Sequence, residues 1–95
     1  MSAYVIADVT ITDPALYDDY RRQVAATVQA HGGRFLARGG EVLPLEGGWD
    51  AKRVVILEFP DMEALQRWYG SPEYAPLAAL RQRASRGRLI AVAGV

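Results

Sequence analysis

The sequence contains no cysteine, which excludes disulfide bonds, thiolate metal sites and a cysteine nucleophile. It has one histidine, so a metal site would need carboxylates from several elements, and no such spacing occurs. None of its glycine doublets belongs to a GxGxxG or GxxxxGK motif of the kind that binds phosphates. We therefore expect neither a metal ion nor an organic cofactor.

Long apolar runs and a surplus of one charge are also missing. No run approaches the roughly 20 apolar residues that cross a bilayer, and the first residues lack the basic start and apolar core of a signal peptide. Eleven basic residues balance eleven acidic ones, so no net charge attracts nucleic acid or an anionic membrane. We expect a cytoplasmic protein that binds neither nucleic acid nor a membrane.

Strand and helix patterns alternate over 95 residues, the length of one small domain spanning residues 1–95. Alternating or β-branched apolar runs predict strands over residues 4–11, 34–38, 52–59 and 88–95. Capping residues and helical spacing predict a helix from Pro14 to the stop at Gly32, with a buried stripe at residues 16, 20, 24 and 28. Two shorter helical pieces are predicted, one after Asp61 through Tyr69 and one ending near Ser85. The doublet at residues 39–40 predicts a bulge or a sharp bend, with strand pairing resuming over residues 41–45.

This order, β-α-β-β-α-β, predicts an α+β ferredoxin-like fold, an antiparallel sheet with its helices on one face and the first and third strands in the middle. The third strand is apolar on both faces, and the first strand carries Tyr4 and Ile6 on its second face. Soluble monomers rarely expose such a contiguous apolar patch. We therefore predict a homodimer that pairs through the open sheet face and forms a dimeric α+β barrel. The alternative is that the C-terminal segment folds back over that face.

Three charged residues fall on the open face by alternation along otherwise apolar strands, namely Asp8, Arg38 and Glu58. A buried carboxylate is costly unless paired, and its shifted pKa can suit acid–base work. Two acids beside one arginine could bind and polarise a small polar ligand. The alternatives are a neutralised ion-pair network or exposure at the rim, and a bulge could redirect Arg38.

Other candidates are one histidine and several aromatic residues. His31 lies at the end of the first helix, where it can cap terminal carbonyls or, because of its near-neutral pKa, serve as an acid–base group. Tyr17 and Tyr74 can pack in the core or line a pocket. Trp49 is expected to be exposed and to contact a partner. Four arginines near the end of the last helix are interpreted as a solvated basic face: Arg81, Arg83, Arg86 and Arg88.

Six short segments occur in an order along the chain that is typical of one known family, at residues 31–40, 45–47, 55–60, 68–69, 71–74 and 80–81. On these segments the chain resembles the family called domain of unknown function 1330, within the dimeric α+β barrel superfamily. The resemblance covers nearly the whole chain. It implies a site in the cleft between the sheet and its helices or loops, with His31, Arg38, Glu58 and Tyr74 at the family's polar positions.

The superfamily includes cofactor-independent oxygenases, isomerases, lyases and ligand sensors, so the resemblance leaves the activity open. One hypothesis is an enzyme for a small polar or aromatic metabolite, in which Glu58 or His31 acts as the acid–base group. In that enzyme Arg38 would hold an anionic or carbonyl oxygen, with Asp8, Tyr17 and Tyr74 as further ligand contacts. The other hypotheses are a noncatalytic binding or sensor module and a structural dimerisation module.

Overall fold

The computed structural model describes residues 1–95 as a four-stranded sheet with three helices on one of its faces. All neighbouring strands are antiparallel, and their order across the sheet is β2-β3-β1-β4. The predicted ferredoxin-like α+β fold is confirmed, with the first and third strands in the middle. The elements are β1 Ala3–Ile11, α1 Pro14–Ala30, β2 Arg34–Arg38, β3 Arg53–Phe59, α2 Met62–Tyr69, α3 Ala75–Ala84 and β4 Ser85–Ala93.

Helices α1 and α2 both begin directly after the aspartates that were predicted to cap them. The side chain of Asp13 accepts a hydrogen bond from the backbone N–H of Leu16 at 3.1 Å, and Pro14 occupies the first helical turn of α1. The side chain of Asp61 accepts from the N–H of Ala64 at 2.7 Å at the start of α2. Each carboxylate satisfies a backbone donor that the helix itself leaves free.

The core lies between the helices and one face of the sheet. Alternate residues of β1 are buried there, and α1 contributes a stripe that begins at Tyr17 and continues through Tyr20, Val24 and Val28. Leu16, which was predicted to belong to this stripe, is only half-buried at its edge. None of the helices has the length and apolar character needed to cross a membrane.

The sharp bend predicted as one alternative at residues 39–40 is present, but the predicted strand pairing over residues 41–45 is wrong. The bulge falls at Leu36, where the pairing with β3 shifts between Phe35 and Ala37, and not at residues 39–40. Residues 41–45 form no strand. Gly39 takes a φ of +73° after its N–H makes a last bond to Val54, and this turns the chain away from the sheet into a loop over residues 39–52.

The last strand begins at Ser85, three residues earlier than predicted. The carbonyl of Ala84 accepts hydrogen bonds from the N–H groups of Thr12 and Asp13, at 2.8 and 3.0 Å, which fixes the end of α3 beside the end of β1. Pairing with β1 can therefore start at once. As a result Arg86 and Arg88 belong to β4 and not to the helix end.

The second face of the sheet is covered by no helix. The strand register aligns an apolar row across its middle, composed of Ala37, Ile56, Ile6 and Ile90. At the edge, Ile90 is 61% exposed and Val92 is 43% exposed. The C-terminal segment forms β4 within the sheet, so it does not fold back over this open face.

Candidate functional site

Asp8 and Glu58 lie on the open face as predicted, but at opposite ends of it. Glu58 accepts hydrogen bonds from Arg34 at 2.7 Å, and these hold the pKa of its carboxyl below the ordinary value. Asp8 accepts from the indole N–H of Trp49 at 3.1 Å and from Arg88 at 3.4 Å. The bond from Trp49 is the main reason why the pKa of Asp8 is lowered. Each acid is thus in an ion pair of its own.

The predicted position of Arg38 on the open face was wrong. Because the bulge at Leu36 shifts the alternation, Arg38 lies opposite Val55 and faces the helices. Its guanidinium lies 4.1 Å from the centre of the Phe35 ring, and its Nη2 donates to the backbone carbonyl of Arg21 at 2.5 Å. Arg38 and Glu58 are therefore on different faces of the sheet.

His31 is half-buried at the C-terminal end of α1. Its Nδ1 lies 3.0 Å from the carbonyl oxygen of Thr27, and its backbone N–H donates to the carbonyl of Val28. These contacts match the capping interpretation of the sequence. His31 lines none of the space that Arg38 faces, so the predicted cleft formed by Arg38, Glu58 and His31 does not occur.

A cleft between the sheet and helices α1 and α3, called here the inner cleft, brings Arg38, Tyr17 and Tyr74 together. Its walls are mostly apolar, and its enclosed space measures about 30 Å³, room for one or two water molecules. Five further side chains with polar groups line it, and the sequence had not singled them out as site residues: Tyr20, Arg21, Arg53, Trp68 and Arg81.

Arg81 is the main discrepancy between sequence and structure. It was interpreted as part of a solvated basic face, but it is only 6% exposed. It lies between Leu77 and Ala84 on the buried stripe of α3, at spacings of four and three residues. This helical spacing is the signal that could have identified it.

The guanidinium of Arg81 has one protein partner. Its Nε donates to the hydroxyl of Tyr74 at 3.4 Å, and that hydroxyl lies 3.0 Å from the hydroxyl of Tyr20. Burial lowers the pKa of Arg81, but Tyr74 and Tyr20 outweigh it and the net shift is upward. Burial and the neighbouring Tyr74 raise the pKa of Tyr20, so this phenol stays neutral.

No acidic side chain lines the inner cleft, and of its four arginines only Arg21 is in an ion pair, with Asp18. The seven ion pairs of the chain involve none of Arg38, Arg53 and Arg81. The inner cleft also holds no histidine or carboxylate, and nowhere does the chain gather three side chains able to hold a metal ion. Its polar groups are mainly guanidinium groups and tyrosine hydroxyls, a combination that can bind an anion and donate hydrogen bonds to it.

Two open grooves along β4 adjoin the inner cleft. An apolar groove of about 390 Å³ lies between α2 and β4, and a basic groove of about 450 Å³ lies between α3 and β4. They share Tyr69 and Leu89. Because Arg81 and Leu89 line both the basic groove and the inner cleft, the buried guanidinium can be reached from outside.

A family model described as "Domain of unknown function (DUF1330)" matches residues 2–95. No curated protein matches the chain. The fold is similar to that of a protein of unknown function from Rhodopseudomonas palustris, with 22% identity, a TM-score of 0.78 and coverage of 99% of this chain and 82% of the other.

Two further solved structures are similar in fold. SnoaB, a cofactor-independent oxygenase from Streptomyces nogalater, has 16% identity, a TM-score of 0.67 and coverage of 99% and 93%. A dimeric ferredoxin-like protein of unknown function from Jannaschia has 12% identity, a TM-score of 0.66 and coverage of 97% and 98%. At these identities the likeness shows the fold alone.

Proposed function

From the premise that this chain belongs to the family described as "Domain of unknown function (DUF1330)", we propose that it binds a small metabolite with an anionic group and an apolar or aromatic body. The anionic group would contact Arg81 and Tyr74, and the body would lie in the apolar groove. The observation that carries this proposal is the buried guanidinium of Arg81, which faces no carboxylate.

A largely buried cation is costly unless it is paired, and Arg81 has one long hydrogen bond to a phenol. Its Nη atoms have no protein partner and keep some contact with solvent at the basic groove. A carboxylate or another oxyanion would supply the missing charge and accept the free guanidinium donors. One O–H of the Tyr20–Tyr74 pair is used in the bond between the two hydroxyls, and the other can donate to the same anion. The unpaired state of Arg81 is therefore accounted for if a ligand is its partner.

The apolar part of the ligand follows from the neighbouring surfaces. Leu65 on α2 and Val5, Leu89 and Ala91 on the sheet line the apolar groove, which has the volume of a typical small-molecule site. The enclosed space of the inner cleft admits only water-sized groups unless side chains move. An amphipathic carboxylate lying along β4 would place its body in the apolar groove and its charged group at the basic groove.

A cofactor-independent enzyme is the second candidate, and the same cations favour it. Arg81 and the two phenols could stabilise an enolate or phenolate that forms in a bound ligand. The predicted acid–base residues Glu58 and His31 lie outside the inner cleft, and no lining side chain offers a general base. We therefore rank binding without turnover above catalysis.

The test is a thermal-shift and calorimetric comparison of benzoate and phenylacetate with their neutral amides. We expect the carboxylates to bind and the amides not to bind. Arg81→Met should weaken carboxylate binding by about tenfold or more, the worth of one charge-assisted hydrogen bond, and it should not destabilise the fold. Arg83→Met, an exposed arginine two residues away, is the matched control. Equal binding of acids and amides, or binding indifferent to Arg81, would refute the proposal.

We further propose that the chain forms a homodimer through the open sheet face. The apolar row at the middle of that face supports this, together with the dimeric ferredoxin-like protein of similar fold. The pairs Arg34–Glu58 and Arg88–Asp8 would then set the register of the two sheets. Asp8 and Glu58 would then have a structural role in the dimer, which is one of the alternatives that the sequence left open.

Sedimentation of the Ile90→Lys variant tests the dimer. A lysine at this exposed position of the apolar row should yield a monomer of 10.4 kDa, whereas the wild type should sediment at twice that mass. Ala79→Lys, on the exposed side of α3, should leave the dimer unchanged. A monomeric wild type at micromolar concentration would exclude this assembly.

A further inference from the structure

Three guanidinium groups gather at the β2–β3 side of the inner cleft, on Arg21, Arg38 and Arg53. β2 and β4 are opposite edges of the sheet, so this cluster and Arg81 lie at different ends of the cleft. We propose that Arg38 and Arg53 form a second anion-binding position, which takes an oxyanion such as a carboxylate or a phosphate group. Arg81 takes no part in it, so the two positions can be tested separately.

Arg53 carries the main observation. Its Nε is buried and has no hydrogen-bond acceptor, the only such side-chain atom in the chain. Native structures rarely leave a buried donor unpaired, and an absent ligand is one recognised reason. Its guanidinium lies 5.5 Å from the centre of the Tyr17 ring, a cation–π contact that offers no acceptor oxygen.

The guanidinium of Arg53 can occupy its position because residue 39 is glycine. A Cβ atom on Gly39 would overlap Nη1 and Cζ of Arg53, whereas a Cβ on Gly40 would meet nothing within 4 Å. The backbone of Gly39 therefore lets the guanidinium lie against the start of the loop. Arg53 therefore lies at the cleft wall, close to the backbone of Gly39 and to the ring of Tyr17.

The charges around Arg53 are unbalanced. Arg21 is bonded to Asp18 at 2.5 Å, while Arg38 and Arg53 have no acidic partner. Loss of hydration, followed by the charges of Arg21 and Arg53, lowers the pKa of Arg38. An oxyanion between Arg38 and Arg53 would relieve this repulsion and accept the free Nε–H. Arg38 is exposed and bonded only to a carbonyl, so its side chain can move to admit the anion.

The test follows the arginine Nε–H and backbone amide signals by ¹H–¹⁵N NMR at mildly acidic pH, with ionic strength held constant by sodium chloride. Inorganic phosphate and acetate are the two probes. We expect saturable shifts of the Arg53 Nε–H and the Gly39 amide with at least one of them, and the tighter probe identifies the preferred group. Arg53→Met should weaken this binding by about tenfold or more, and Arg22→Met, an exposed arginine of α1, should not.

If the shifts stay linear with concentration and appear equally at Arg22, phosphate and acetate bind only as adventitious ions and the second position does not exist. The wild-type Arg53 signal decides this even if Arg53→Met fails to fold. If no saturable binding occurs at Arg53 but carboxylates still bind in a way that depends on Arg81, the second position is refuted and the proposed function is not. If carboxylate binding does not depend on Arg81 but the Arg53 signal shifts saturably, the proposed function is refuted and the second position is not.

Discussion

The phenolic oxygens of Tyr20 and Tyr74 lie 3.0 Å apart, and both rings are buried. Tyr20 belongs to α1, and Tyr74 occupies the cap position before α3. The hydroxyl of Tyr74 also accepts the Nε–H of Arg81 at 3.4 Å. Tyr74 therefore joins the two helices and is the only protein partner of the buried cation, which gives it two roles that mutation can separate.

Removing the hydroxyl of Tyr74 should cost more stability than removing that of Tyr20. Tyr20→Phe loses one hydrogen bond and leaves Tyr74 bonded to Arg81, for a loss of about 1 kcal/mol in the free energy of unfolding. Tyr74→Phe leaves both the Tyr20 hydroxyl and the Arg81 Nε without a partner, for a loss of about 2 kcal/mol. Urea unfolding at one fixed protein concentration measures both. The reverse order would mean that Arg81 does not depend on Tyr74.

The raised pKa of Tyr20 makes the fold sensitive to alkali. The unfolded chain releases the Tyr20 proton near the ordinary value of 10.0, whereas the folded chain, because of burial and Tyr74, retains it to higher pH. The folded state then binds more protons, so stability falls as pH rises above that value, by up to about 1.4 kcal/mol per pH unit for this group.

Unfolding free energies measured across this alkaline range should therefore drop less steeply in Tyr20→Phe than in the wild type. Absorbance of tyrosinate provides an independent check, because at least one of the five tyrosines should ionise only when the protein unfolds. Tyr69→Phe, at a half-exposed ring, is the control and should leave the alkaline slope unchanged.

Much of the fold could be predicted because its signals are local. The Asp13 and Asp61 caps and the stop at Gly32 each act within a few residues of their own position. The central place of β1 and β3 follows from the β-α-β-β-α-β order and its right-handed crossovers. These features depend on neighbouring residues in the chain, which a single sequence displays directly.

The candidate site was harder to predict because it depends on contacts between distant elements. One bulged residue, Leu36, moves Arg38 from one face of the sheet to the other, and no residue type marks that position as a bulge. Arg81 looks like a solvated charge in sequence because arginine is rarely buried. Its burial arises from the packing of α3 on α1, which brings Tyr20 and Tyr74 to it.

The pKa of Asp8 should be measurable from the NMR signal of the Trp49 indole N–H, which is bonded to the Asp8 carboxylate. The indole N–H donates to the Asp8 carboxylate, and this bond is the main cause of the lowered pKa. A depressed carboxyl pKa contributes stability above the unfolded value and loses it as pH falls through the folded value. We expect the Trp49 indole signal in NMR to titrate with a midpoint below that of an ordinary aspartate. Asp8→Asn should abolish this titration, and Asp19→Asn should not affect it.

Gly39 and Gly40 are adjacent, yet their replacement by alanine should have very different effects. Gly39 has a φ of +73°, and an added Cβ would displace the guanidinium of Arg53, so Gly39→Ala should cost about 1–2 kcal/mol from the backbone alone. Gly40 has an ordinary φ and open space, so Gly40→Ala should change stability by no more than about 0.5 kcal/mol. Chemical denaturation of both variants checks this difference. Equal stabilities would show that the loop adjusts freely and that neither the positive φ of Gly39 nor its contact with Arg53 matters for the fold.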